Sequence, residues 1–232
     1  MNMKKGIITA GITAIIACSA ASAYCWTTGR ESIPEDDILT TASPETAANV
    51  GDGKSLVVYF SVPETDGVDA VSGASRVLVN GKVMGNTQYV ASIISEATGS
   101  DLFEIKTERT YPGTHKALIE AAKEEHDSDA RPKLATHIRN LKDYDIVFVG
   151  FPNWWYDMPM PLYSFFDEYD FGGKTVIPFC THGGSRFSSA IETIRTLEPK
   201  ATVLDGHAIS RDRVPESKES ILKWLDKLGL KK

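Results

Sequence analysis

The sequence predicts an α/β protein in which helices cover both faces of a parallel β-sheet. Five short apolar segments alternate with five amphipathic segments along residues 55–232. The apolar segments are continuous, as in Leu-Val-Val-Tyr-Phe at residues 56–60, which is typical of strands buried on both faces. Hydrophobic residues make up 42% of the chain and charged residues 24%, as in ordinary folded domains. Strict alternation of strand and helix favours a parallel sheet over an antiparallel one.

The predicted strands are the apolar runs bounded by charged or turn-forming residues. They span residues 56–60, 102–105, 146–149, 175–180 and 201–204. The fourth strand contains Pro178, which is unfavourable because proline cannot donate a hydrogen bond to a neighbouring strand. We keep this strand in the prediction despite the proline.

The predicted helices are the segments whose apolar residues recur at three- and four-residue spacing. They span residues 86–98, 114–126, 160–169, 187–197 and 215–228. Gly99 is placed to end the first of them, and Pro215 suits the first turn of the last.

The N-terminal residues 1–23 are typical of a secretory signal. Lys4 and Lys5 precede a twelve-residue apolar run at 6–17, which is shorter than the roughly 20 residues that span a bilayer. Two processing sites fit: cleavage after Ala23, in an Ala-x-Ala motif, and lipidation of Cys18 after a lipobox-like Ile-Ile-Ala. We therefore expect an exported protein that is periplasmic, secreted or lipid-anchored at a bacterial envelope.

Residues 24–54 are acidic, rich in Thr, Ser, Ala and Pro, and lack an apolar period, so we expect a disordered tether. The net charge of −6 argues against a nucleic-acid-binding protein. Three cysteines are too few for a disulfide-built scaffold, and five scattered histidines predict no metal site.

The loop after the first strand begins at Ser61 and ends at Gly85-Asn86-Thr87, immediately before the first helix. Free amides and a partial positive charge at a helix N-terminus favour a phosphate. Hydroxyl and amide side chains at these positions can complete such a site. The alternative is ordinary helix capping by Asn86 or Thr87.

The loop after the third strand carries Pro152, Asn153, Trp154 and Trp155. Adjacent aromatic side chains in a loop cannot all enter one core, so at least one is expected to be exposed or to stack on a flat ligand. The alternative is a hydrophobic lid on the third helix.

The loop after the fourth strand runs Thr181-His182-Gly183-Gly184-Ser185. Its two glycines let the backbone approach a ligand closely, and His182 can donate or accept a hydrogen bond there. The alternative is a structural histidine. Together, the three loops predict a phosphate site, an aromatic wall and an amide-rich loop at one edge of the sheet.

Residues 57–61 with 85–87, then 151–155 and 178–185, resemble the flavodoxin-like family, specifically its short bacterial flavodoxin-type proteins. The resemblance covers residues 55–232 and implies a three-layer fold, sheet order 2-1-3-4-5, and bound FMN. It implies that Ser61, Gly85, Asn86 and Thr87 hold the phosphate. It places residues 152–155 along the isoalloxazine and residues 181–185 at its other edge.

Two features depart from the family pattern. Residues 62–84 interrupt the usually compact phosphate loop, and Asn80-Gly81 within them predicts a hairpin with a type I′ turn. Arg186 stands where a small residue is expected, which changes access or charge at the flavin edge.

The expected function is FMN-dependent electron transfer, or an FMN-dependent oxidoreductase acting on a quinone or similar acceptor. The expected partner is a reductase, a quinone or a nicotinamide donor, and no catalytic residue is assigned. The alternative is an exported binding module whose flavin site is weak or lost. A Rossmann dehydrogenase and a serine hydrolase are discarded because their glycine motifs are incomplete in this sequence.

Overall fold

The structure is a computed structural model, and it describes residue 50 and residues 53–66 and 76–232. The predicted signal at 1–23, almost all of the predicted tether and part of the 62–84 insert lie outside the described residues. Within the described ranges, no helix combines the length and the apolar character needed to cross a membrane.

The described chain alternates strands and helices as the sequence predicts. The strands are β1 Ser55–Tyr59, β2 Arg76–Val79, β3 Lys82–Gly85, β4 Asp101–Glu104, β5 Ile146–Pro152, β6 Thr175–His182, β7 Thr202–Val203 and β8 His207–Ser210. The helices are α1 Asn86–Thr98, α2 His115–Asp127, α3 Met160–Glu168, α4 Ala190–Leu197 and α5 Lys218–Lys227. Two 3₁₀ turns span Leu141–Asp143 and Arg211–Glu216.

The main sheet is parallel and has the order β4-β1-β5-β6, followed by β7 and β8, which pair one after the other along the same edge of β6. With the separate β2–β3 hairpin set aside, this is the order 2-1-3-4-5 that the resemblance implied. The loops after β1, β5 and β6 therefore meet at one edge, as predicted.

The sheet separates two hydrophobic clusters. Val57 and Tyr59 of β1 face one cluster, which contains Ile94 of α1 and Leu225 of α5. The alternate β1 residues face the other cluster, which contains side chains of α3 and α4. Both faces of the strand are therefore buried, which explains why its sequence is apolar throughout.

Pro178 sits where the fifth strand is broken. β7 pairs with residues 175–176 of β6, and β8 pairs with residues 179–182, so Pro178 faces the gap between them. The Val176 carbonyl accepts from Leu204 N–H on the β7 side of β6, and the backbone groups of residue 178 point to that same side. The N–H that proline lacks would therefore point into the gap between β7 and β8. The prediction of one fifth strand at 201–204 covers only β7, and β8 was missed.

Gly206 makes this break possible. Its φ is +74°, and a Cβ placed there would lie 2.1 Å from the Pro178 carbonyl oxygen. Only glycine fits both conditions, so the chain steps around the proline and then resumes pairing as β8.

Helix boundaries differ from the predictions mainly at two N-termini. α1 matches its predicted range and ends at Gly99 in the left-handed region, as expected. α4 begins at Ala190 instead of residue 187, and α5 begins at Lys218 instead of residue 215. Pro215 lies in the preceding 3₁₀ turn because residues 211–216 form a separate, tighter segment. The predicted hairpin is present, with Asn80 and Gly81 at φ 50° and 77°.

Candidate functional site

The junction between β1 and α1 brings Ser61 back to the start of the first helix. An added Cβ at Gly85 would lie 2.0 Å from Ser61 Oγ, so the two residues are in close contact. The hairpin accounts for this closure, because β3 ends at Gly85, the residue that directly precedes α1. The insert therefore leaves the predicted phosphate residues together.

The N-terminus of α1 is built mainly from backbone. Gly85 occupies the N-cap position and has no side chain with which to cap the first-turn amides. Asn86 and Thr87 are helical residues, each 1% exposed, and the Thr87 hydroxyl lies 2.9 Å from that of Thr181. Neither is the N-cap residue, so the capping alternative does not describe this helix start.

A cavity of about 570 Å³ opens at the carboxyl ends of β5 and β6. Its lining includes nine of the predicted site residues: Pro152, Asn153, Trp154, Trp155, Thr181, His182, Gly183, Gly184 and Ser185. The predicted phosphate residues do not line this cavity. They adjoin it through the contact between Thr87 and Thr181.

An unusual turn forms the aromatic side of the cavity. Trp154 and Asp157 exchange two backbone hydrogen bonds, at 3.0 and 3.1 Å, and enclose Trp155 and Tyr156. Both enclosed residues are in the left-handed region, at φ 52° and 67°, where bulky residues are strained. Trp155 is 40% exposed and Tyr156 is 70% exposed.

The two tryptophans of this loop have different surroundings. Trp154 packs edge-on against Phe60 and Tyr111, with ring centroids 5.5 and 5.7 Å away. Trp155 lies against α2, where its Nε1–H donates to the Ile119 carbonyl at 3.2 Å and Lys123 Nζ lies 5.4 Å from its ring centroid. Trp154 is thus partly a core residue, whereas Trp155 is presented at the surface. That both pack along a flavin stays a prediction.

His182 is held in one tautomer. Its Nδ1 accepts the Gly184 N–H at 2.9 Å, so the neutral ring carries its proton on Nε2. Burial, and then the nearby Arg186 guanidinium, hold the pKa of His182 below its ordinary value. His182 is therefore a neutral hydrogen-bond donor at neutral pH.

Asn153 joins the loops that follow β5 and β6. Its Nδ2 donates to the Arg186 carbonyl at 2.9 Å, and its Oδ1 accepts from Ser185 Oγ at 3.0 Å. Arg186 is itself in the left-handed region, at φ 53°. These side-chain contacts fix the spacing of the two cavity walls.

The sequence predictions missed the rest of the cavity lining. It consists of Glu64, His115, Leu118, Ile119, Ala122 and Tyr156. Glu64 is only 2% exposed, and its Oε1 contacts His115 Nδ1. Glu64 and His115 come together only in the fold. For Tyr156, adjacency to the tryptophan pair was an available signal.

Comparisons with known proteins agree with this architecture. The family model described as flavodoxin matches residues 76–228. Flavodoxin 1 of Escherichia coli K12 is 25% identical over 182 residues, covering 64% of this chain and 89% of that flavodoxin. Flavodoxin 1 of Salmonella typhimurium gives the same values.

Solved structures show the same fold. A protein described as a flavoprotein from Bacteroides uniformis is 28% identical, with a TM-score of 0.57, covering 75% of this chain and 98% of its own. One from Bacteroides eggerthii is 25% identical, with a TM-score of 0.57 and coverages of 78% and 100%. A Lactobacillus acidophilus flavoprotein, solved in complex with FMN, is 19% identical, with a TM-score of 0.50 and coverages of 71% and 97%.

Proposed function

The chain belongs to the flavodoxin family, and from that premise we propose that it passes electrons from bound FMN to an acceptor. FMN is the cofactor that this family membership supports. The observation that carries the proposal is the juxtaposition of a glycine-capped helix N-terminus with an aromatic-lined cavity of about 570 Å³. The first suits a phosphate, and the second suits a planar ring.

The residues present fit an FMN molecule by their chemistry. Backbone amides at the start of α1, with hydroxyls of Ser61 and Thr87 nearby, would hold the phosphate. Gly85 makes the close approach of Ser61 possible, because any Cβ would displace its hydroxyl. In the cavity, Trp155 offers an aromatic surface and His182 an Nε2–H donor. FMN supplies the redox chemistry when bound, and these groups bind and orient it.

Flavin absorption tests this proposal directly. We expect the purified protein, or apoprotein titrated with FMN, to show flavin absorption bands and to release FMN on denaturation. Gly85→Val should lower FMN affinity, whereas Gly229→Ala, which follows the C-terminal end of α5 and does not line the cavity, should leave it near the parent value. A colourless protein that takes up no added FMN would contradict the proposal.

For the acceptor and donor, we propose a quinone-like acceptor and a reduced nicotinamide or a reductase as donor. The support is the aromatic residues of the cavity lining, which suit a planar acceptor. Steady-state oxidation of a reduced nicotinamide in the presence of a quinone separates an enzyme from a carrier that needs a reductase partner.

A second candidate function is an exported binding module without a working flavin site. The observations favouring it are the insert in the phosphate loop and Arg186 in the left-handed region beside the cavity loops. Calorimetric titration with FMN distinguishes the two, because the module should give no heat at FMN concentrations that saturate the Escherichia coli flavodoxin.

We also propose that the protein is exported, on the evidence of Lys4, Lys5 and the apolar run at 6–17. Cell fractionation tests export. Labelling with a radioactive fatty acid tests the lipid anchor, which should disappear in Cys18→Ala. Retention of the label in that variant, or a cytoplasmic full-length chain, would contradict the respective proposal.

A further inference from the structure

Two histidines line the cavity, and their rings are held in opposite ways. His182 Nδ1 accepts a hydrogen bond, so its proton lies on Nε2. His115 Nδ1 contacts Oε1 of Glu64, and an ionised carboxylate can only accept. The neutral His115 ring therefore carries its proton on Nδ1, which leaves Nε2 to take up or release a second proton.

Carboxylate groups contact both the ring and the main chain of His115. Glu64 is almost fully buried, and a buried carboxylate needs a charged or hydrogen-bonding partner. Asp66 adds a second carboxylate, whose Oδ2 accepts the His115 backbone N–H at 2.9 Å. The Arg76 guanidinium is also close to this group, because its Nη1 donates to the Glu64 main-chain carbonyl at 2.9 Å. His182, the other histidine of the cavity lining, is neutral at neutral pH, because burial lowers its pKa.

We propose that His115, positioned by Glu64, donates a proton to a quinone-like acceptor that is reduced by two electrons in this cavity. The inference rests on the proposed function, because the electrons come from FMN. It makes the domain an oxidoreductase for a proton-requiring acceptor, in addition to any one-electron transfer that it performs.

Reduction of the acceptor requires two electrons and two hydrogens, which FMN, His115 and an external reduced nicotinamide supply. When bound and reduced, FMN would supply one carbonyl oxygen of the acceptor with a hydrogen and two electrons, and would itself be oxidised. The other oxygen takes the proton from His115 Nε2, and the product leaves as a hydroquinone. The imidazole is left neutral and regains a proton from water. A reduced nicotinamide, oxidised in turn, supplies the electrons for the next cycle.

The tautomers can be read in the apoprotein without any turnover. At a pH high enough for both rings to be neutral, long-range proton–nitrogen NMR should show His115 with its proton on Nδ1 and His182 with its proton on Nε2. Glu64→Ala removes the acceptor, and His115 should then shift toward the Nε2–H form. A wild-type His115 already in the Nε2–H form would overturn the proposal.

A comparison of two acceptors tests the proton transfer itself. Ferricyanide takes one electron and no proton, whereas a benzoquinone takes two of each. In FMN-loaded His115→Gln, we expect the benzoquinone rate to fall about 10²-fold more than the ferricyanide rate, as for loss of a general acid. His137→Gln is the matched control. His137 forms the same kind of pair, with Nδ1 2.6 Å from Glu168 Oε1, but does not line the cavity.

The outcomes separate the two hypotheses. If the wild type binds no FMN, the proposed function fails. If it binds FMN and His115→Gln changes both rates by the same factor, or changes neither, only the proton-transfer inference fails. If His115→Gln does not fold, Glu64→Gln gives the same acceptor comparison, with a smaller expected difference because the acid itself remains.

Discussion

Two turns in this molecule share a backbone geometry but are built from opposite kinds of residue. The hairpin between β2 and β3 turns at Asn80-Gly81, with φ 50° and 77°. The cavity loop turns at Trp155-Tyr156, with φ 52° and 67°. Asparagine and glycine tolerate the left-handed region, whereas bulky aromatic residues there are strained by about 1–3 kcal/mol each.

The difference indicates where side chains matter more than local stability. A Cβ at Gly81 would meet nothing within 4 Å, so the hairpin turn needs only its backbone. Trp155 and Tyr156 line the cavity, and the Tyr156 carbonyl accepts from Ser189 N–H and Oγ–H. Surrounding contacts thus hold a strained turn that presents two aromatic rings to the cavity. We infer that the rings are kept for binding.

Exchanging the cavity turn for the hairpin turn should have the largest effect. In Trp155→Asn with Tyr156→Gly, the two strained residues release about 2–6 kcal/mol, less what Trp155 loses in contacts with Ile119 and Lys123, so the unfolding free energy of the apoprotein should rise. FMN affinity should fall roughly 30-fold, because aromatic stacking worth about 2 kcal/mol is lost. Denaturant unfolding and FMN titration measure the two quantities. Unchanged affinity would show that the turn does not serve the cofactor.

The reverse exchange should affect stability alone. Asn80→Trp with Gly81→Tyr forces two bulky residues into the left-handed region and should cost about 2–6 kcal/mol of unfolding free energy. FMN affinity should stay within about twofold of the parent, since the turn is outside the cavity lining. A large affinity loss here would place the hairpin in the binding site and break the contrast.

Alanine substitutions at Trp154 and Trp155 should differ in their effect on stability. Trp154→Ala should lower the unfolding free energy by roughly 2 kcal/mol, because it removes edge-on packing against Phe60 and Tyr111 from a partly buried site. It should also weaken FMN binding. Trp155→Ala should weaken FMN binding by about 1 kcal/mol with little loss of stability. Equal stability losses in the two variants would contradict the assigned surroundings.

Acidification should destabilise the loop that follows β6, and this is the smallest of the four predicted effects. The pKa of His182 is lower in the folded protein than in the unfolded chain. Below the ordinary pKa of histidine, the unfolded chain therefore binds more protons than the folded protein, and the unfolding free energy falls as the pH drops. Protonation of Nδ1 also removes the acceptor for Gly184 N–H. The hydrogen-exchange protection of Gly184 should therefore fall a few-fold from pH 7 to 5. The hydrogen-exchange protection of the β2–β3 amides should not change over this range. In His182→Gln, the protection of Gly184 should no longer depend on pH.

Much of the fold could be predicted from the sequence because the signals are local. Continuous apolar runs identified the central strands, three- and four-residue spacing identified α1 to its last residue, and Asn80-Gly81 identified the hairpin. The break between β7 and β8 was not predicted. It depends on Pro178, which lies between the residues of β6 that pair with β7 and those that pair with β8, and on the close approach of Gly206 to the Pro178 carbonyl.

The candidate site divides along the same line. The order of strands and helices by itself determined that the loops after β1, β5 and β6 share one edge, since parallel strands end together. Those loops supplied the predicted phosphate residues and two walls of the cavity. Only the tertiary structure decided the third wall, because Glu64 and His115 are distant in the chain and meet through packing of α2. It also decided which tryptophan is exposed and which ring nitrogen of each histidine carries the proton. Those properties depend on three-dimensional neighbours that no local pattern encodes.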